Sequence, residues 1–128
     1  MRKILVAVCI ISIFIALVGM AMVETLSDPV FEMATATLTA SKTASFSAVT
    51  FANHSSIKVT AVELEQYDGS SWHYYTTLQA PSDEARNTDL YGANKDYSSD
   101  IASGRFRLKV TFNADGYTIT RYSNARTY

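Results

Sequence analysis

The sequence predicts an all-β protein, an antiparallel β-sandwich of about seven short strands preceded by an N-terminal signal helix. From Ala34 to Tyr128 the chain is rich in Thr, Ser, Val, Tyr and Phe, and apolar and polar residues alternate in short runs, as they do in half-buried strands. Turn-forming residues separate the runs, and no 3.6-residue period follows the N-terminal segment. About seven strands in roughly 95 residues is the pattern of one two-sheet domain.

The N-terminal segment, residues 1–21, is predicted to be a secretion signal. Arg2 and Lys3 make its start basic, and no further charged residue occurs before Glu24. Ala21 and the glycine two residues before it are the small residues of a cleavage site, so cleavage is expected after Ala21. The alternative is an uncleaved membrane anchor extending to residue 23, since about 20 apolar residues can span a bilayer. Either interpretation predicts a secreted or cell-surface protein.

The composition excludes several kinds of chemistry. The only cysteine, Cys9, lies in the predicted signal after Val8, which is larger than the residue a lipoprotein signal requires, so lipidation is not predicted. The rest of the chain then has no disulfide and no cysteine-ligated metal, which favours a bacterial source. Two of the 11 Lys and Arg residues lie in the signal, leaving nine against 12 Asp and Glu. The net charge of about −3 offers no basic field for nucleic acid.

The first predicted strands follow a polar tether at residues 22–33, which contains acids and a proline and has no burial period. Strands are expected at Ala34–Ala40 and Ala44–Ala52, separated by a Ser-Lys-Thr turn. A third strand is expected at Ile57–Tyr67, where the apolar residues change parity half-way along. A β-bulge near Thr60 would restore one inward face.

The fourth strand, Trp72–Gln79, is predicted to pair with the third through an Asp-Gly turn. A three-residue loop is preferred over two or four residues because it places Trp72 and Tyr74 in the core. In that register His73 points outward beside Glu65.

The later part of the chain contains the longest irregular segment and the clearest hairpin. Residues 81–95 are predicted to be irregular, with at most a short strand at Asp89–Tyr91. The hairpin consists of Arg105–Phe112, an Asn-Ala-Asp-Gly turn and Tyr117–Tyr122. No helix is predicted after the signal.

Two segments resemble a known family. SGRFRLKVTFNADG resembles the penultimate strand and following turn of fibronectin type III and related immunoglobulin-like domains, and VELEQYDGSSW resembles a central hairpin of the same architecture. With its predicted signal, the chain is similar to small exported proteins of Gram-positive bacteria that end in such a domain. The resemblance implies an immunoglobulin-like/fibronectin-III-like β-sandwich at residues 34–128. It implies no activity, because these motifs specify topology and neither an inter-sheet cysteine pair nor an Arg-Gly-Asp tripeptide is present.

Three cations alternate with apolar residues in the penultimate strand: Arg105, Arg107 and Lys109. They are predicted to point outward. In a domain of the type that the chain resembles, this strand lies beside the third strand, whose outward residues include Glu63 and Glu65. Opposite charges on neighbouring strands stabilise a sheet by about 0.2–1 kcal/mol per pair. The sequence therefore predicts a neutralised outer face rather than a site that grips phosphate or another polyanion.

Other motifs give little support for catalysis or metal binding. His54 and His73 are the only histidines, and no G-x-S-x-G elbow accompanies them, so neither is predicted to be catalytic. Residues 53–55 would form an N-glycosylation site only in a eukaryote. The acids between Asp83 and Asp100 have no recognisable calcium-loop spacing, so no metal or cofactor is predicted.

The eight tyrosines are the unusual feature of the composition. Tyr67 and Tyr75 are predicted to point outward and to flank Glu65 and His73, forming a candidate binding patch. The favoured hypothesis is a non-enzymatic extracellular interaction or structural module, with a carbohydrate-binding module as the alternative. A small hydrolase is a third class without specific support. The expected partner is an extracellular protein or glycan and not nucleic acid, with membrane contact only through an uncleaved N-terminal segment.

Overall fold

The computed structural model describes residues 28–128, and all of the strand pairing in this range is antiparallel. The predicted all-β class is confirmed, and the predicted signal lies outside the described residues. Between residues 28 and 128, no helix is long and apolar enough to cross a membrane. The strands are β1 (Phe31–Leu38), β2 (Thr43–Tyr67), β3 (Trp72–Leu78), β4 (Glu84–Asp96), β5 (Arg105–Ala114), β6 (Tyr117–Tyr122) and β7 (Arg126–Thr127).

The centre of the fold is β2, a strand of 25 residues. It joins the two strands that the sequence predicts at residues 44–52 and 57–67. Its first half pairs with β1 and β4, and its second half pairs with β5 and β3. β5 pairs in turn with β6 and with the short β7. The penultimate long strand therefore lies between the last long strand and the second half of β2, as predicted.

The sheet folds over itself so that both halves of β2 share one core. Tyr91 of β4 is opposite Ala48, and Phe112 of β5 is opposite Val59. A straight strand from residue 48 to residue 59 would be about 36 Å long. The ring centroids of Tyr91 and Phe112 are nevertheless 6.5 Å apart, in an edge-to-face arrangement. The largest buried side chains of the core are Phe31, Phe46, Tyr97, Phe106 and Phe112.

Two further segments differ from the sequence prediction. β1 begins at Phe31, inside the predicted tether, because that side chain is fully buried and its ring lies 6.4 Å from the ring of Phe112. The segment predicted to be irregular contains β4, a strand of 13 residues. Only Tyr91 and Ala93 of β4 are buried. The sequence of β4 therefore shows little of the hydrophobic alternation from which a strand is predicted.

Two local predictions are confirmed. The register of β2 against β5 shifts between Val59 and Ala61, which places the β-bulge where the change of parity predicts it. The β5–β6 hairpin is present, with its turn reduced to Asp115 and Gly116. Both residues have positive φ, 50° and 92°, as a type I′ turn requires.

Candidate functional site

The turn between β2 and β3 has four residues, Asp68–Ser71. The Asp68 Oδ1 atom accepts hydrogen bonds from the backbone amides of Ser70 and Ser71, both at 2.8 Å. These bonds, the one from Ser71 first, hold the pKa of the Asp68 carboxyl well below its usual range. Gly69 has a φ of 100°, a value open to glycine without steric cost. The predicted three-residue loop is wrong.

The longer turn reverses the faces of the β3 side chains. Tyr67 pairs with Trp72 and Glu65 pairs with Tyr74, so all four lie on the face of the sheet opposite the core. A shift of one residue moves every side chain of a strand to the other face. The prediction that Trp72 and Tyr74 are core residues is therefore wrong, and Tyr74 is 60% exposed. The Asp-Gly-Ser-Ser sequence is the signal that could have indicated a four-residue turn, because its aspartate can accept hydrogen bonds from two backbone amides of the turn.

The outward side chains of β3, β2, β5 and β6 form a continuous stack. The Arg107 guanidinium lies between two rings, 4.5 Å from the centroid of Trp72 and 4.3 Å from that of Tyr122. Trp72 also packs against Tyr67, with centroids 5.2 Å apart. Each guanidinium–ring contact is favourable because the cation meets the negative face of the ring. We call these residues, together with Tyr74 on the same face, the outer aromatic surface; its members are Tyr67, Trp72, Tyr74, Arg107 and Tyr122.

An ion pair fixes the centre of the outer aromatic surface. Arg107 Nε donates a hydrogen bond of 2.8 Å to Glu65 Oε1. The Glu65 side chain is only 13% exposed, so the carboxylate is screened less by water than an ordinary surface acid. Cross-strand pairing places Glu65 opposite Arg107 and Glu63 opposite Lys109, as predicted. Arg105 instead lies over the ring of Tyr67, at 5.7 Å.

The four residues predicted as a binding patch do not share one surface. Tyr67 and Glu65 belong to the outer face, beside Trp72 and Arg107. His73 pairs with Gln66, a position of the opposite face. Tyr75 lies at a bulge and packs edge-on against the buried ring of Phe106, with centroids 5.2 Å apart. Its predicted position on the outer face beside Tyr67 is therefore wrong, although 45% of the residue is exposed.

His73 has an aspartate and a serine as neighbours, but they contact the same ring nitrogen. His73 Nε2 is 2.6 Å from Asp68 Oδ2 and 3.0 Å from Ser71 Oγ. In a catalytic triad the acid and the nucleophile contact different nitrogens of the histidine. The contacts of His73 therefore connect β3 to the turn and do not form a proton relay.

His54 belongs to a second polar cluster, at the β5–β6 turn. The Asp115 carboxylate accepts bonds from the amides of Ser55 and Ser56, at 2.9 and 3.0 Å, and lies 3.1 Å from His54 Nδ1. The Ser55 amide is the main cause of the lowered pKa of Asp115. The cluster fastens the hairpin turn to the middle of β2.

A shallow hollow of about 170 Å³ lies on the same outer face as the outer aromatic surface. Polar side chains and one small apolar residue line it: Ala61, Glu63, Lys109, Thr111 and Thr120.

Among residues 28–128, no group of three or more His, Cys, Asp or Glu residues is arranged to hold a metal ion. The outer aromatic surface and the adjoining hollow are the candidate site of the described residues, because exposed rings there adjoin a polar depression. Comparison with protein-family models, curated proteins and solved structures gives no match to this sequence.

Proposed function

We propose that this chain is an exported, non-catalytic interaction module that contacts an extracellular partner through the outer aromatic surface. The observation that carries the proposal is the grouping of one tryptophan, three tyrosines and one arginine on a single sheet face. Arg107 lies between the rings of Trp72 and Tyr122. Tryptophan, tyrosine and arginine are the residues most enriched among binding hot spots. The β-sheet backbone keeps their positions fixed, so little conformational entropy is lost on binding.

The proposal includes an immunoglobulin-like sandwich. Its support is the order of strand pairing, in which β1 and β4 flank the first half of β2 while β3 and β5 flank the second half, with β6 outside β5. In immunoglobulin-type domains, strands A, B and E share one sheet, and strands C, F and G share the other. The halves of β2 would then correspond to strands B and C, with β4, β5 and β6 as E, F and G.

The most exposed rings of the surface offer the test. Tyr74 is 60% and Tyr122 is 48% exposed. The full-length chain would be immobilised and screened against purified cell-surface proteins and glycans, and binding would then be compared with that of a Tyr74→Ser, Tyr122→Ser double variant. We expect the affinity to fall at least about tenfold, equivalent to 1.4 kcal/mol, with the fold retained by circular dichroism.

Leu90 provides the matched control, since it is as exposed as Tyr74 but lies on β4, beside the first half of β2. Leu90→Ser should leave binding unchanged. Binding that survives the double tyrosine change, or that falls equally with Leu90→Ser, would contradict the proposal.

A carbohydrate ligand is the second candidate. The hollow favours it, because hydroxyl, carboxylate and ammonium groups there adjoin an exposed tyrosine ring.

A further inference from the structure

The hollow continues the outer aromatic surface along the strands. Glu63, Lys109 and Tyr122 lie in one row across β2, β5 and β6, and Ala61, Thr111 and Thr120 lie in the next row. Rows on one face of a sheet are about 7 Å apart. The hollow therefore lies next to Tyr122, on the side away from Arg107.

The polar groups of the hollow are complementary to adjacent hydroxyls. A carboxylate such as Glu63 only accepts hydrogen bonds, an ammonium such as Lys109 only donates them, and a threonine hydroxyl does both. Within residues 28–128, no ion pair joins Glu63 to Lys109 or to another side chain. Both groups keep bonding capacity for a ligand.

Tyr122 adds an aromatic ring beside the hollow. The Arg107 guanidinium covers one face of its ring at 4.3 Å. Arg107 and Thr120 lie on opposite sides of Tyr122 along the strand direction, so the tyrosine borders the hollow without being one of its lining residues. A flat ring packs well against the C–H groups of a sugar ring, which are removed from water on contact.

We propose that the hollow binds one neutral pyranose unit of a glycan. Tyr122 packs on the C–H face of the sugar, and Glu63, Lys109, Thr111 and Thr120 bond its hydroxyls. The charges of Glu63 and Lys109 cancel, which favours a neutral sugar over an anionic one. The volume of about 170 Å³ is below the roughly 300 Å³ of pockets for drug-sized ligands, so the hollow holds no more than one sugar unit and the remaining units lie over the sheet.

This inference rests on the proposed function and names the ligand class of the same face. The test is a nuclear magnetic resonance titration of the full-length chain with the methyl glycosides of glucose, galactose, mannose and N-acetylglucosamine. We expect at least one of them to shift the amide signals of Ala61, Thr111 and Thr120 in a saturable manner.

Two conservative variants identify the contacts. Thr120→Val keeps the shape of the side chain without its hydroxyl, and Lys109→Met keeps the stem without its charge. Each should weaken binding about three- to tenfold, the loss expected for one hydrogen bond. Thr37→Val, an exposed threonine of β1, is the control and should leave the affinity unchanged.

The outcomes separate this inference from the proposed function. The sugar site is overturned if none of the four sugars causes saturable shifts. It is also overturned if Thr120→Val and Lys109→Met both bind the sugar with the affinity of the unchanged protein. Shifts confined to Tyr67, Trp72 and Tyr74 overturn it as well, but leave the outer aromatic surface as the contact surface. Partner binding that depends on Tyr74 and Tyr122, without any sugar binding, likewise overturns the sugar site and supports the outer aromatic surface as the contact surface.

Discussion

Removal of the Arg107 guanidinium is the most informative perturbation of the outer aromatic surface. In Arg107→Met the apolar stem remains, and the charge and the planar group are lost. Each cation–ring contact contributes about 0.5–1 kcal/mol at an exposed site, and Arg107 makes two.

The ion pair adds to this loss. Glu65 is 13% exposed, and a poorly solvated acceptor left without its partner costs about 1–3 kcal/mol. We therefore expect Arg107→Met to lower the free energy of unfolding by about 2–5 kcal/mol.

Arg105→Met is the matched control on the same face of β5. Arg105 has no ion pair among the described residues, and its single ring contact, at 5.7 Å, is near the limit of about 6 Å for such contacts. We expect a loss below about 1 kcal/mol. Urea unfolding followed by far-ultraviolet circular dichroism measures both variants, with an unchanged m-value as the sign that the two-state comparison holds. Equal losses in the two variants would refute the stacked arrangement.

Three further predictions follow from the core, the turn cluster and the charges. Phe112→Ala should lower the free energy of unfolding, measured with urea, by about 3–5 kcal/mol, since Phe112 is fully buried against Phe31 and Tyr91. A near-neutral result would mean that Phe112 lies on the outer face of β5. Because the folded-state pKa of Asp115 is lowered from 3.8, the stability that it provides is present above about pH 4 and is lost as the pH falls through the folded-state pKa. Asp115→Asn should therefore lower the melting temperature at neutral pH and reduce its fall on acidification, whereas parallel pH curves would contradict the role of the carboxylate. Heparin and DNA should bind weakly, because Glu63 and Glu65 face Lys109 and Arg107; tight binding with a steep salt dependence would contradict the neutral face.

Export is a separate prediction, at residues outside the described range. The mature protein should begin at Met22, and intact-mass measurement of secreted material decides it. Recovery only in membranes, with Arg2 retained, would support the uncleaved anchor instead.

The elements best predicted from the sequence are those in which burial and local turn chemistry agree. In β5 the apolar residues alternate strictly with polar ones, and an Asp-Gly pair follows them; these apolar residues are Phe106, Leu108, Val110 and Phe112. The predictions of β5, of its inward face and of the hairpin to β6 are therefore all correct. The bulge before Ala61 was also predictable, because two apolar parities in one strand require an extra residue.

The errors arise where backbone hydrogen bonds, not side-chain burial, decide the structure. β4 pairs along β2 with mostly exposed side chains, so its sequence is typical of a loop. At the β2–β3 turn, the expected burial of Trp72 favours a three-residue loop. The hydrogen bonds from two backbone amides to Asp68 instead stabilise a four-residue loop. Because Arg107 and Tyr67 contact it, Trp72 is stabilised on the outer face, which no local pattern indicates.

The fluorescence of Trp72, the only tryptophan of the chain, tests the central claim most directly. Acrylamide should quench the free protein to an intermediate extent, because Trp72 is half-buried on the outer face. The partner or glycan found by the screen should then protect Trp72 from quenching or shift its emission, and the Leu90→Ser variant should respond in the same way. A Trp72 that is fully shielded in the free protein, or quenching that is identical with and without the bound partner, would contradict the claim that the outer aromatic surface is the contact surface.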